Sequence, residues 1–159
     1  KAIKKNDLDI IRVKWIQLWK DGPKFAEFNV GAANKKPEDF GEYFSGQQPD
    51  VVISDEWGVD WRMPTEAEFK ALISNCTFES TSVVGVNGWL FSGKGDYSSN
   101  SIFLPAAGQA LSHNGEGWYW TADGSESQRT CLTIWGTGIE TTSAFHLLKM
   151  SIRPVLDEE

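Results

Sequence analysis

The chain has 159 residues, of which 40% are hydrophobic and 23% charged, and 15 Lys and Arg against 22 Asp and Glu give a net charge of −7. This composition is typical of one globular domain and argues against disorder, while the acidic balance argues against nucleic acid as a partner, because nucleic-acid binders need a basic face. The apolar runs are too short for a membrane span, and the 15 Gly and 8 Trp favour an α+β or mostly β fold over a helical bundle.

A β-hairpin is predicted at the start of the folded region. The first residues are polar and basic, and we expect 1–12 to be a linker or N-terminal extension. Residues 13–19 and 25–30 each read as a strand, and the Asp-Gly-Pro sequence at 21–23 is a turn signal between them. The chain begins at Lys1 and not at Met, so we also expect that a targeting segment is missing from it.

The clearest local signal is a helix that begins after Thr65. Thr65 and Glu68 have the spacing of a capping box, in which the hydroxyl accepts from the N3 amide and the carboxylate accepts from the N-cap amide. One apolar stripe follows at i, i+3, i+4 and i+7 spacing: Phe69, Leu72, Ile73 and Cys76. The helix is expected to end near Asn75.

Short strands and Gly-rich turns are predicted for the rest of the chain. Residues 77–84 and 89–91 are predicted to form a hairpin with its turn at Asn87 and Gly88. Further strands are predicted at 101–108, 117–121, 131–135 and 144–155, with a turn at 136–138. The pattern indicates one α+β domain over 13–156, followed by an acidic tail, 157–159.

Several segments, in order, resemble a known family. The Arg-Met-Pro-Thr-Glu-Ala-Glu-Phe sequence at 62–69 resembles the Arg-Leu-Pro-Thr-Glu-Ala-Glu-Trp helix start of formylglycine-generating sulfatase-modifying enzymes. Other segments resemble one branch of that superfamily, the Fibrobacter succinogenes major paralogous domain: 29–32, 37–44, 75–77, 87–88, 101–108, 119–121 and 151–155. The resemblance covers about 13–155. It implies a C-type-lectin-like fold, a small twisted antiparallel sheet with one or two short helices and long loops.

The same resemblance implies a location and a role. Domains of this branch are common in cell-envelope proteins of gut bacteria, so we expect a bacterial cell-surface, periplasmic or secreted protein, with this chain as the C-terminal module of a larger lipoprotein. A non-catalytic recognition domain is the leading interpretation. The alternatives are an enzyme of the sulfatase-modifying type and a structural module of a surface appendage.

The cysteines argue against the enzymatic alternative. Formylglycine-generating enzymes hold copper with two nearby cysteines late in the chain, and a thiolate pair suits Cu(I). Here the late region has only Cys131, while Cys76 lies at the predicted helix end. We therefore expect no catalytic residues, no metal and no cofactor. The spacing leaves open whether Cys76 and Cys131 form a disulfide.

The acidic segment 47–60 is expected to be an irregular solvated loop and not a calcium site. Calcium-dependent lectins, which share the fold that the resemblance implies, use a Glu-Pro-Asn or Gln-Pro-Asp loop. Gln48, Pro49 and Asp50 echo that loop, but they precede the capped helix, whereas the lectin loop follows the helices. We interpret this tripeptide as a turn.

The binding surface is predicted on the last strands and their loops, where relatives of this fold carry a variable face. Trp and Tyr rings stack on sugars and proteins at low entropic cost, so the expected partner is a glycan or a protein surface. The predicted binding residues are Asp123, Arg129, Trp135, Glu140, Phe145 and His146. A core position is the open alternative for Trp135 and Phe145. Four other Trp residues are expected in the core: Trp15, Trp61, Trp89 and Trp120.

Overall fold

The computed structural model of the chain describes residues 13–125 and 127–157. Within these ranges the strands are β1 (Trp15–Gln17), β2 (Lys24–Ala26), β3 (Phe44–Ser45), β4 (Trp61–Arg62), β5 (Thr77–Val83), β6 (Val86–Ser92), β7 (Ser101–Pro105), β8 (Gly117–Gly124), β9 (Gln128–Trp135), β10 (Gly138–Phe145), β11 (Lys149–Met150) and β12 (Val155–Leu156). The helices of this part of the chain are α1 (Pro49–Trp57) and α2 (Glu66–Asn75). The predicted α+β class is confirmed. The expected extension, 1–12, and the last two residues of the expected tail lie outside the described residues.

The structure has several small antiparallel sheets, whereas the sequence predicts a single sheet. In the described part of the chain their strand orders are β1-β2-β12-β4, β5-β6-β7, β8-β9-β10 and β3-β11. The predicted hairpin of β1 and β2 is confirmed by the pairing of Ile16 with Phe25. Val155 of β12 pairs with both Phe25 and Arg62, so the last strand closes the N-terminal hairpin onto β4. No helix in these ranges is long and apolar enough to cross a membrane.

The β8-β9-β10 sheet separates two hydrophobic cores. Because successive strand residues point to opposite faces, Tyr119 packs with Phe69 of α2 in one core, whereas the adjacent Trp120 packs with Trp57 of α1 in the other. Full burial of one such large apolar side chain stabilises a fold by about 1.5–3 kcal/mol. Each face of the sheet therefore packs against one of the two cores.

The predicted start and end of α2 are confirmed. Thr65 Oγ1 accepts from the Glu68 amide at 3.0 Å, and Glu68 Oε1 accepts from the Thr65 amide at 2.9 Å. Arg62 donates to both oxygens of the same carboxylate at 2.8 Å. Phe69 and Leu72 of the predicted stripe are fully buried. The capping box thus ties the helix start to β4 as well as to its own first turn.

The prediction of an irregular acidic segment at 47–60 is wrong, because α1 occupies most of it. Pro49, Ile53 and Trp57 are spaced four apart and are all buried, so one face of a helix packs while the acidic side chains remain outside. The interpretation of Gln48 to Asp50 as a turn is also wrong. Pro49 opens α1, and the fixed φ of proline suits the first turn of a helix, where no amide is needed.

The predicted turn at Asn87 and Gly88 is wrong as well. The β5–β6 hairpin turns at Val84 and Gly85, both with positive φ, and Gly88 lies inside β6. A Cβ atom on Gly88 would lie 2.5 Å from the carbonyl oxygen of Leu104 in β7. The glycine is required there by the close approach of β7, a contact between distant parts of the chain.

Trp15 is an exception among the Trp residues expected in the core. Trp61, Trp89 and Trp120 are buried, but Trp15 is 47% exposed on the edge strand β1. Its ring lies 4.3 Å from the Lys24 ammonium nitrogen, a favourable cation–π geometry.

Arg153 is fully buried near the end of the chain. Its Nε donates to Asn29 Oδ1 at 2.8 Å, and its Nη2 donates to the Phe103 carbonyl at 2.9 Å. A longer contact of 3.4 Å reaches the Ala26 carbonyl. Burial lowers the pKa of this guanidinium to about 10. Its hydrogen bonds to neutral groups connect the N-terminal region, β7 and the C-terminal segment.

Glu68→Gln is expected to reduce the acid sensitivity of stability. Burial, the largest single influence, raises the pKa of Glu68, but hydrogen bonds from Arg62 and Thr65 outweigh it, so the folded pKa is lowered. A lowered carboxylate pKa adds stability above the unfolded value of about 4.3, and this stability is lost as the pH falls through the folded value. Urea unfolding should therefore separate the wild type from the variant at pH 7 and much less near pH 3. An equal separation at both pH values would contradict this.

Arg153→Met is expected to lower the free energy of unfolding by about 3 kcal/mol or more, because it leaves buried acceptors on Asn29 and Phe103 without their donor. Arg62→Met is the matched control. It also removes a bonded guanidinium, but a third of that side chain is exposed, so we expect a loss of about 1 kcal/mol. Urea unfolding at pH 7 measures both. Similar losses would show that burial of the Arg153 network is unimportant.

Candidate functional site

The six predicted binding residues fall into two groups at opposite ends of the β8-β9-β10 sheet. Strand β9 runs from Gln128 to Trp135, and seven residue steps of about 3.3 Å place its ends about 23 Å apart. Trp135 and Glu140 lie toward the end formed by the β9–β10 turn. The other four lie toward the end formed by the β8–β9 turn: Asp123, Arg129, Phe145 and His146. The single predicted site is therefore two separate regions.

The indole of Trp135 lies face-on against its cross-strand partner, Gly138. A Cβ atom on Gly138 would lie 2.6 Å from both Cζ2 and Nε1 of the ring, so only glycine leaves room for it. Trp135 is nevertheless 42% exposed. One face of the ring lies against the sheet and the ring stays partly open to solvent, which rules out the core position left open for this residue.

The turn beside Trp135 is held from the core. Trp89, which is buried, donates from Nε1 to the carbonyl of Gly136 at 2.8 Å. The bond connects the β9–β10 turn to the β5-β6-β7 sheet. Because this turn precedes Gly138, the bond also restricts the backbone on which the Trp135 ring rests. A surface that is ordered before binding loses less entropy when a ligand arrives.

Polar and aromatic groups adjoin Trp135 on the same sheet face. Trp118, Thr133 and Glu140 are directly opposite one another on β8, β9 and β10, one pleat repeat from Trp135. Glu140 is exposed, and Trp118 is half-buried with its Nε1 donating to Glu116 Oε1 at 3.0 Å. We call Trp118, Thr133, Trp135 and Glu140 the Trp135 face. It combines an open aromatic ring with the exposed carboxylate of Glu140, whereas Thr133 is buried.

Asp123 has a structural role at the opposite end. Its Oδ2 accepts from the amide of Glu66 at 2.6 Å. Asp123 therefore satisfies the first amide of α2, although the two residues are 57 positions apart in the sequence. Glu66 in turn accepts from the Thr141 hydroxyl at 2.8 Å, and this hydrogen bond is the main reason that the pKa of Glu66 is lowered. Both contacts attach the start of α2 to the sheet.

Arg129 lines an open cleft of about 510 Å³, together with Gly46, Gln47, Gln48 and Ser125. Its Nε donates to the carbonyl of Gly46 at 2.9 Å, and its Nη1 donates to that of Thr121 at 3.1 Å. We call this the Arg129 cleft. It lies between the start of α1 and the β8–β9 turn.

Phe145 and His146 lie beside this region. Phe145 is 50% exposed, so the core position left open for it is also ruled out. His146 is half-buried, with Nδ1 2.7 Å from the carbonyl oxygen of Ser127, and its own carbonyl accepts from the Gly46 amide at 2.6 Å. His146 therefore helps to shape the wall of the Arg129 cleft through its backbone.

The cysteines are both free and buried, which settles the disulfide question left open by the sequence. They belong to different hydrophobic cores, Cys76 with α2 and Cys131 with α1. Burial raises the pKa of the Cys76 thiol to about 11 and that of the Cys131 thiol to about 12. Across 13–125 and 127–157, no group of three or more His, Cys, Asp or Glu side chains is arranged to hold a metal ion.

Sequence reasoning missed Trp118, Gly138, Gln47 and Gln48 as parts of these surfaces. The alternation of Trp118 and Trp120 signals a strand, but it does not say which Trp is left partly open. Gln47 carries no recognisable motif, and the Gln-Pro-Asp echo at Gln48 is interpreted from the sequence as a turn; both residues reach the Arg129 cleft only through tertiary structure.

No protein-family model, curated protein or solved structure matches the chain. The family resemblance of the sequence motifs therefore stays a prediction.

Both thiols are expected to be unreactive in the folded protein. With a pKa of about 11, only about one Cys76 side chain in a thousand is thiolate at pH 8, and Cys131 is lower still. Iodoacetamide at pH 8, read by mass spectrometry, should leave the native protein unmodified over an hour and add two groups in 6 M urea. Rapid labelling of either cysteine in the native protein would contradict its burial.

Proposed function

We propose that this chain is a non-catalytic recognition domain that binds a glycan on the Trp135 face. The observation that carries the proposal is the indole of Trp135, which is held face-on against Gly138 while 42% of the residue stays exposed to solvent. An indole face of this kind stacks on the apolar face of a sugar ring, and its rigidity keeps the entropic cost of stacking low.

The groups around the ring favour a neutral sugar. Glu140, in the neighbouring row of the sheet, and Glu116, just before β8, offer carboxylate oxygens. Carboxylates accept strong hydrogen bonds from sugar hydroxyls. The same carboxylates repel an acidic sugar.

The proposal extends to a C-type-lectin-like domain in a cell-envelope or secreted bacterial protein, as the motif resemblance implies. Three features support this finer fold assignment: the C-terminal strand β12 pairs with β2, the helices are short, and long loops connect small antiparallel sheets. Two separated cysteines with raised thiol pKa values support the non-catalytic part, since copper binding by a thiolate pair requires them together and deprotonated.

Trp135→Ala is expected to weaken glycan binding by about tenfold or more, because it removes the stacking surface. A glycan array with calcium and with EDTA identifies the sugar, and calorimetric titration of that sugar then compares variants. Binding is expected in both arms of the array.

Trp15→Ala is the matched control. Trp15 is similarly exposed, but it lies on β1 in a different sheet, so this variant should bind like the wild type. Equal weakening by both substitutions, or unchanged binding by Trp135→Ala, would refute the Trp135 face. Binding that EDTA abolishes would point to a calcium site instead.

A further inference from the structure

We propose that the Arg129 cleft is a second binding site, which takes the carboxylate of a sugar acid such as a hexuronate unit. The cleft lies at the end of the sheet opposite Trp135, about 23 Å away along β9. The inference rests on the cleft alone, so it stands or falls independently of the Trp135 face.

The guanidinium of Arg129 is held in place by neutral groups. Nε and Nη1 donate to the carbonyls of Gly46 and Thr121, which are neutral acceptors. The ion pairs among the described residues involve Arg62 and Lys70 and not Arg129. No described residue accepts a hydrogen bond from Nη2. An oriented guanidinium with an open edge matches the two oxygens of a carboxylate.

A described carboxylate close in sequence to the cleft makes its hydrogen bond elsewhere. Asp123 precedes Ser125 by two residues, but its Oδ2 accepts from the Glu66 amide at the start of α2. The described lining of the cleft contains Arg129 and uncharged groups. Arg129 is thus the charged group that the described lining offers to a ligand, and its charge favours an anion.

The other lining side chains favour a sugar as the carrier of that anion. Gln47 and Gln48 each present both a hydrogen-bond donor and an acceptor, whereas the Ser125 hydroxyl bonds to the backbone of Gln128. Sugar hydroxyls also donate and accept at one atom, so a ring with several hydroxyls around one carboxylate complements this set. In a peptide, the carboxylates of Asp and Glu are carried by methylene groups, which cannot form hydrogen bonds with these side chains. The cleft volume of about 510 Å³ lies within the range of small-ligand sites.

The test is a calorimetric titration of the intact chain with trigalacturonate and, as the matched ligand, its fully methyl-esterified form, which has the same ring scaffold without the charge. We expect the acid to bind and the ester to bind at least tenfold more weakly. Raising NaCl from 50 to 300 mM should weaken binding of the acid severalfold. Equal binding of the two forms, or no binding of the acid at millimolar concentration, would overturn the proposal.

Variants identify the site. Arg129→Gln should reduce acid binding at least tenfold, and Arg129→Lys should reduce it several-fold, because the charge remains while the planar fork is lost. Lys20→Gln removes an exposed positive charge elsewhere and should have no effect. Should Arg129→Gln lose its far-UV circular dichroism, Gln47→Ala and Gln48→Ala report instead, since both side chains are exposed. Each should weaken acid binding about threefold, and unchanged affinity in both would overturn the site.

A third titration separates the two sources of a carboxylate. A tetraglutamate peptide presents the same anionic group without sugar hydroxyls, and we expect it to bind at least tenfold more weakly than trigalacturonate. Binding of the peptide as tight as that of the sugar acid would overturn the assignment to sugars. Loss of trigalacturonate binding in Arg129→Gln together with full binding in Trp135→Ala would place the acid in the Arg129 cleft and not on the Trp135 face.

Discussion

The buried guanidinium of Arg153 is the interaction on which the arrangement of the other elements depends. A cation without contact to water must have its donors satisfied by the protein, and here Asn29 and Phe103 supply acceptors from regions 124 and 50 residues away. Asn29 also donates to the hydroxyl of Tyr119 at 3.4 Å, which itself donates to Pro105 at 2.8 Å. The N-terminal region, β7, β8 and the C-terminal segment are thereby held in one hydrogen-bonded network.

This network holds β8 through the hydroxyl of Tyr119, and the packing of β8 limits where its sheet is open to solvent. Tyr119 and Trp120 point into different cores, so both faces of the central sheet are covered along most of their length. What remains accessible is at the ends. At one end Trp89 holds the turn that precedes Gly138, and at the other Gly46 holds the Arg129 guanidinium.

Local features could be predicted from the sequence, and features that depend on distant contacts could not. The capping box of Thr65 and Glu68 lies within four residues, so its pattern is sufficient to define α2. Gly88 looks like a turn residue, but it is in a strand because β7 approaches it. The same distinction holds at the site. Sequence reasoning selected Trp135 and Arg129, but only the strand register separates them, and the role of Asp123 at α2 is a contact across 57 residues.

The two ends of the sheet differ in charge, and this gives the domain a polarity toward its ligands. Glu116 and Glu140 lie beside Trp135, whereas the described lining of the opposite cleft has Arg129 and no carboxylate. At 0.15 M salt the Debye length is about 8 Å, well below the ~23 Å between the ends, so neither end alters the charge preference of the other. Under the two proposals, a neutral sugar therefore binds at one end of the sheet and a sugar acid at the other. An oligosaccharide that contains both kinds of unit can then bind along the sheet in only one direction.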